Sequence, residues 1–192
     1  MNISRISLIL LLTLHCSCSL NRKIVVNSQD FSIQNSRGLF ANYSADFSFE
    51  SQEYLKDLLY KLWLSIPEPS TNNYHLLVLS SQDPLALSLG AGYLVISKEL
   101  ISELKTEGQL FFVIAHEIAH FELKHEKLDD SKYSEVELEA DNYAMEMLIA
   151  AGYNPNDGIA SIINLSKHPR VKHSEKYPLL ETRISELRKI IN

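Results

Sequence analysis

The stretch FFVIAHEIAHFELKH, residues 111–125, sets two histidines and a glutamate into an apolar run. Ionisable groups are costly to bury without partners, so His116, Glu117 and His120 need compensation from elsewhere in the chain. In an α-helix, residues four apart project about 40° apart around the axis, which puts His116 and His120 on one face. Two imidazoles so placed can hold one zinc ion, with Glu117 beside them in reach of a water at the metal. Ile118 and Ala119 between them are apolar, as suits a helix threaded through a core. The plain alternative is a helix whose histidines hydrogen-bond locally and hold nothing.

A catalytic zinc needs a third protein ligand and one open position. His125 lies five residues after His120, on a different side of the helix, and is rejected. The long HExxH pattern with a third histidine would also need Gly and His at positions 123 and 126, where this chain has Leu123 and Glu126. The better source is SEVELEADNYAMEMLIAA, residues 134–151. Its apolar stripe is Ala140, Ala144, Met147, Leu148 and Ala151. Glu137 and Asp141 project onto that stripe, while Glu135 and Glu139 point the opposite way as solvated helix charges. Carboxylates that face a core require a cation or a hydrogen-bonding partner. Glu137 is therefore the expected third ligand, and Asp141 a carboxylate behind the ligands that orients a histidine.

The chain of 192 residues has the length of one domain, with ordinary apolar and charged fractions. A net charge of −6 argues against a general nucleic-acid binder. Arg5, the apolar run from Ile6 to Leu14 and the small residues after it read as a secretory signal over residues 1–20, the alternative being a short N-terminal anchor. Cys16 or Cys18 could take a lipid after cleavage, although the residues before each fit a lipobox poorly. From about residue 21 the chain has no cysteine, so it must fold without internal disulfides.

Residues 21–50 read as an irregular lead-in to a single domain over 51–192. Leu55, Leu58, Leu59 and Leu62 recur at helical spacing after Ser51, and Pro67 and Pro69 stop that helix. YHLLVLS (74–80) reads as a buried strand, and LALSLGAGYLVIS (85–97) as a bent strand or hairpin broken at Gly90 and Gly92. Residues Gly90–Ser97 are the expected open edge for an extended substrate. Thr106-x-x-Gln109 is a capping-box pattern that starts the HExxH helix. The helix over 134–151 ends at Gly152, with a turn at Asn154-Pro155-Asn156. DGIASIINLSK and PLLETRISELRKII supply two further helices.

In order along the chain, SQDPLALSLGAGYLVIS, HEIAHFELKH, ELEAD, AGYNP and YPLLETRI resemble the motifs of the zinc metallopeptidase family of HtpX, the CaaX prenyl protease, the Oma-type proteases and BepA-like proteins (peptidase family M48). The resemblance spans residues 75–188. It implies an α+β fold, mainly helical and zincin-like, with a small β-sheet beside the HExxH helix. It implies one zinc ion on His116, His120 and Glu137, with Glu117 as catalytic base and Arg183 near the site, stabilising the oxyanion. The family's usual histidine before Pro178 is Tyr177 here, which can still donate a hydrogen bond to an oxyanion. His173 lies four residues away, and Tyr177, His173 and His168 are equally readable as loop residues. The implied activity is that of a zinc-dependent metalloendopeptidase acting on protein or peptide substrates, misfolded or envelope proteins among them. Its expected location is the bacterial periplasm or envelope, with a possible lipid tether. Unlike the membrane-spanning relatives, the body has no spanning run, LFFVIA (110–115) being far too short. The rivals are a zinc-containing envelope module that binds without cleaving, and a helical domain without metal.

Overall fold

A helix apolar on every side belongs in the middle of a fold, and the segment opened by Thr106 takes that place. The computed structural model describes residues 44–46, 49–69, 74–81, 83–90, 92–125, 133–168 and 178–191. Both cysteines, the expected signal peptide, His173 and Tyr177 lie outside the described residues. The elements run β1 (Ser44–Asp46), α1 (Phe49–Leu64), β2 (His75–Ser80), β3 (Ala86–Gly90), β4 (Tyr93–Ser97), α2 (Lys98–Glu103), α3 (Glu107–Glu122), α4 (Tyr133–Ala150), α5 (Pro155–Ser166) and α6 (Leu180–Ile191). The fold is α+β and mostly helical, with one small sheet. Among the described residues no helix is long and apolar enough to cross a membrane.

The sheet order is β1-β2-β4-β3. β2 and β4 pair in parallel, with β1 antiparallel to β2 and β3 antiparallel to β4. β4 is therefore an inner strand. Its Leu94, Val95 and Ile96 are all buried, the continuous apolar run of a strand covered on both faces. The sequence reading of Gly90–Ser97 as the open edge is corrected here: the edge is β3, and β4 lies behind it. The hairpin between them turns at Gly92, whose φ of 79° suits a residue without a side chain. β1 and the first residues of α1 fall within the stretch that reads as an irregular lead-in. Three residues are too few to show a period, and pairing to β2 alone makes β1 legible. The short helix α2 also has no sequence signal beyond Ser97, whose hydroxyl accepts from Leu100 N at 3.2 Å and from Leu85 N at 2.9 Å.

Ten consecutive or near-consecutive positions of α3 are buried, Phe111, Phe112, Ile114 and Ile118 almost completely. Each such side chain contributes roughly 1.5–3 kcal/mol by leaving water. At its start, Thr106 Oγ1 accepts from Gln109 N at 3.1 Å, and Gln109 Oε1 accepts from Lys105 N at 3.0 Å. The Thr106 hydroxyl donates to Asp157 at the start of α5, 2.9 Å away, tying the two helix openings together.

AGYNP ends one helix and begins the next. Gly152 takes φ 80°, Tyr153 N donates to Leu148 O at 3.1 Å and Gly152 N to Ile149 O at 3.0 Å. This is the paired bonding of a Schellman stop. Asn154 then caps α5 through Asn156 N at 3.0 Å, with Pro155 in the first helical position. The turn lays α5 across α3 so closely that Gly158 has no room for a side chain. An added Cβ would stand 2.7 Å from Phe112 Cδ2 and 2.8 Å from Met145 Cε. Gly158→Val should therefore lower the unfolding free energy by about 2 kcal/mol, read from a denaturant melt. An unchanged midpoint would show that the crossing can relax.

Candidate metal centre

α3 and α4 pack along their length, and the small Ala115, Ala119, Ala140 and Ala144, all fully buried, let their backbones come close. Three polar side chains meet at that crossing. His116 Nε2 lies 3.1 Å from His120 Nε2 and 3.4 Å from Glu137 Oε2, while His120 Nε2 lies 3.4 Å from Glu137 Oε1. Four ligands at zinc's bond lengths stand about 3.3 Å from one another in a tetrahedron. The two nitrogens, and the carboxylate that meets each of them through a different oxygen, thus stand at about the separation that ligands of one such ion take. Two imidazoles and a carboxylate are also the donor types zinc takes, so the residues fit a zinc ion.

The electrostatics of the cluster without metal follow from its burial. Burial opposes charging His116, but the carboxylates of Asp141 and Glu137 outweigh it and hold its pKa up to about 10. Burial equally opposes ionising Glu137 and Asp141. His116 and His120 hold Glu137 far below the usual carboxylate range despite it. For Asp141 the counterweights are Arg183 and His116. A cation is what this pocket wants, whether proton or metal.

Each of the two clustered histidines is gripped from behind. His116 Nδ1 lies 3.0 Å from Asp141 Oδ1, close enough for a hydrogen bond but not aligned as one, so the attraction is chiefly ionic. Asp141 is fully buried, and Arg183 reaches it from α6 with a two-pronged contact, Nε to Oδ2 and Nη2 to Oδ1, both at 2.6 Å. Behind the other histidine, His125 Nδ1 lies 2.9 Å from His120 Nδ1, and His125 Nε2 lies 3.3 Å from Glu139 Oε2. Burial, with the neighbouring His120, keeps the His125 pKa below its ordinary value. Glu117 lies on the sheet side of α3, where its Oε2 accepts from Ser88 N at 2.8 Å.

The sequence reading brings His116, His120, Glu137 and Asp141 to one place, and they stand together. Arg183 stands near the site as expected from the resemblance, its fork closed on Asp141, on the Nδ1 side of His116. Tyr177 lies outside the described residues. His168 sits against α2, 3.8 Å from Glu99 and 3.9 Å from Glu103, and is not one of the three clustered donors. His125 and Glu139 escape sequence reasoning because the helical pattern runs on through residue 125. The helix itself ends at Glu122, and Lys124 at φ 59° turns the chain back so that His125 meets His120. The exposed Glu139 then lies within reach of it. The Ser88 contact has no signal in the sequence at all.

Two outcomes follow for the protein stripped of metal. Arg183→Met leaves the Asp141 charge buried without its main counterion and should cost about 3 kcal/mol of stability, measured by denaturant melt. The second concerns pH. The folded pKa of His116 lies above its unfolded value, so its contribution is complete below about 6.5 and fades as pH rises toward 10. Glu137 and Asp141 are depressed, so theirs is complete above the ordinary carboxylate range and fades on acidification through it. The melting temperature should therefore fall from pH 7 to 10, and a flat profile would refute the charged His116.

Comparison with known families closes on the same segments. Residues 96–192, just over half of the chain, match the family model described as Peptidase U49. Residues 50–134 match that of Peptidase family M48, and the overlap of the two spans contains HEIAH. No curated protein matches the chain. The chain belongs to the Peptidase U49 family, and its similarity to Peptidase family M48 over residues 50–134 supports a metallopeptidase.

Proposed function

We propose that the chain is a zinc-dependent metalloendopeptidase, with His116, His120 and Glu137 holding the ion and Glu117 acting as general base. The observation that carries this is the convergence of two imidazole nitrogens 3.1 Å apart with a carboxylate whose two oxygens each lie 3.4 Å from one of them, which suits a single ion. Zinc held there supplies Lewis acidity, making water a nucleophile near neutral pH and polarising a carbonyl. Glu117 has one carboxylate oxygen fixed by the Ser88 N–H, which leaves the other to take a proton from the attacking water. The same group then delivers that proton to the departing amine. Asp141, itself held by Arg183, keeps the His116 ring in place. Tyr177, one residue before the Pro178 that leads into α6, is the proposed hydrogen-bond donor to the oxyanion.

The substrate is an extended stretch of polypeptide, as in a misfolded or envelope protein. β3 is the strand on which it would lie. Leu85 O accepts from Ser97 N at 2.8 Å, so by the alternation of an antiparallel pair Ala86 and Ser88 turn their backbone groups outward. The Ser88 N–H on Glu117 fits that phase. Added along this edge, a substrate backbone would run beside the helix carrying the base. The signal-like N-terminus supports export to the envelope, with Cys16 or Cys18 as the site of a lipid tether.

Elemental analysis of the purified protein should give one zinc per chain, and casein cleavage should stop on chelation. Glu117→Gln should keep the zinc and lose at least about 100-fold in turnover. A zinc-loaded protein inert toward any unfolded substrate would favour a binding module, and a Glu117→Gln variant as fast as the parent would remove Glu117 from the base role.

A further inference from the structure

His125 is buried, 8 % exposed, yet takes no place among the three donors. Its position is set by a costly piece of backbone. Lys124, at φ 59°, adopts the left-handed conformation that non-glycine residues rarely take, and the chain doubles back to set the His125 ring against His120. A ring held there by strained backbone calls for a role.

We propose that His125 is a positioning residue that accepts the Nδ1 proton of His120, with Glu139 completing the relay behind it. This rests on the zinc reading of the cluster and extends it to proton placement. A ligating imidazole nitrogen must be bare, so the His120 proton has to sit on Nδ1 when Nε2 faces the metal. The nitrogen 2.9 Å away, His125 Nδ1, must then be an acceptor. Neutral imidazole has one donor and one acceptor, so the His125 proton goes to Nε2, where Glu139 Oε2 at 3.3 Å receives it. Every link in this direction runs from donor to acceptor. The reverse assignment would put the His120 proton on Nε2, between His116 and Glu137, where a metal has to bind. The relay thus selects the tautomer that can ligate and fixes the plane of the ring.

The test is zinc affinity by competition with a chromophoric chelator, on the full mature protein. His125→Ala should bind zinc about 10- to 100-fold more weakly than the parent. His125→Asn sets a neutral acceptor at the same distance from the backbone and should recover most of that loss, which simple packing would not. Glu139→Ala removes a side chain 62 % exposed, so the fold stands, and should weaken binding by a smaller factor. Nitrogen NMR of the zinc-loaded parent should find His120 protonated on Nδ1. A parent that binds one zinc beside a His125→Ala protein that binds as tightly overturns the relay and leaves the zinc reading intact. Failure of His125→Asn to recover affinity overturns the acceptor role. If His125→Ala does not fold, parent-like affinity in Glu139→Ala is the overturning result. A parent without zinc sinks the metal reading and this inference with it.

Discussion

The buried carboxylate of Glu137 is the constraint around which the rest is arranged. A carboxylate inside a protein is unstable unless positive charge or several donors reach it, and here two imidazoles from the neighbouring helix supply that. Asp141, one turn further along, meets the same demand with a guanidinium and the far nitrogen of His116. The alanines at the α3–α4 crossing, the buried α3 and the docking of α6 all serve to bring these charges together and keep water away from them.

Much of this is legible in the amino-acid order alone. HEIAH places two donors by helical periodicity, and the apolar stripe of α4 singles out Glu137 and Asp141 from the neighbouring Glu135 and Glu139. AGYNP announces a stop, a cap and a start, each with its own local chemistry. What is not legible depends on tertiary pairing or on single dihedral angles. β1 is too short to have a pattern, and which strand forms the edge of a sheet is a property of strand order. The partner of Arg183 is forty-two residues away. The return of His125 hangs on one left-handed residue at Lys124, a position where nothing in the sequence forecasts that conformation. Local signals carry local geometry, and they fail where distant segments decide.

The sheet's part in the site goes beyond support. Glu117 is tied to the backbone of β3, so the carboxylate and the strand share one position. A peptide that paired with β3 would be placed relative to that carboxylate by backbone bonds alone. Tight coupling of this kind also means that distortion of the hairpin at Gly92 would reach the carboxylate directly.

The two nitrogens of one imidazole, His116, are met by two acids from a single helix, spaced four residues apart. An α-helix advances about 6 Å and turns by about 40° over that interval, so both acids leave one face of α4 toward the ring. α4 therefore acts as a ruler laid against the ring. One residue gained or lost between 137 and 141 would rotate one acid away from the ring by about 100°. The four-residue interval between Glu137 and Asp141 is thus closed to insertion or deletion as long as both acids hold one ring.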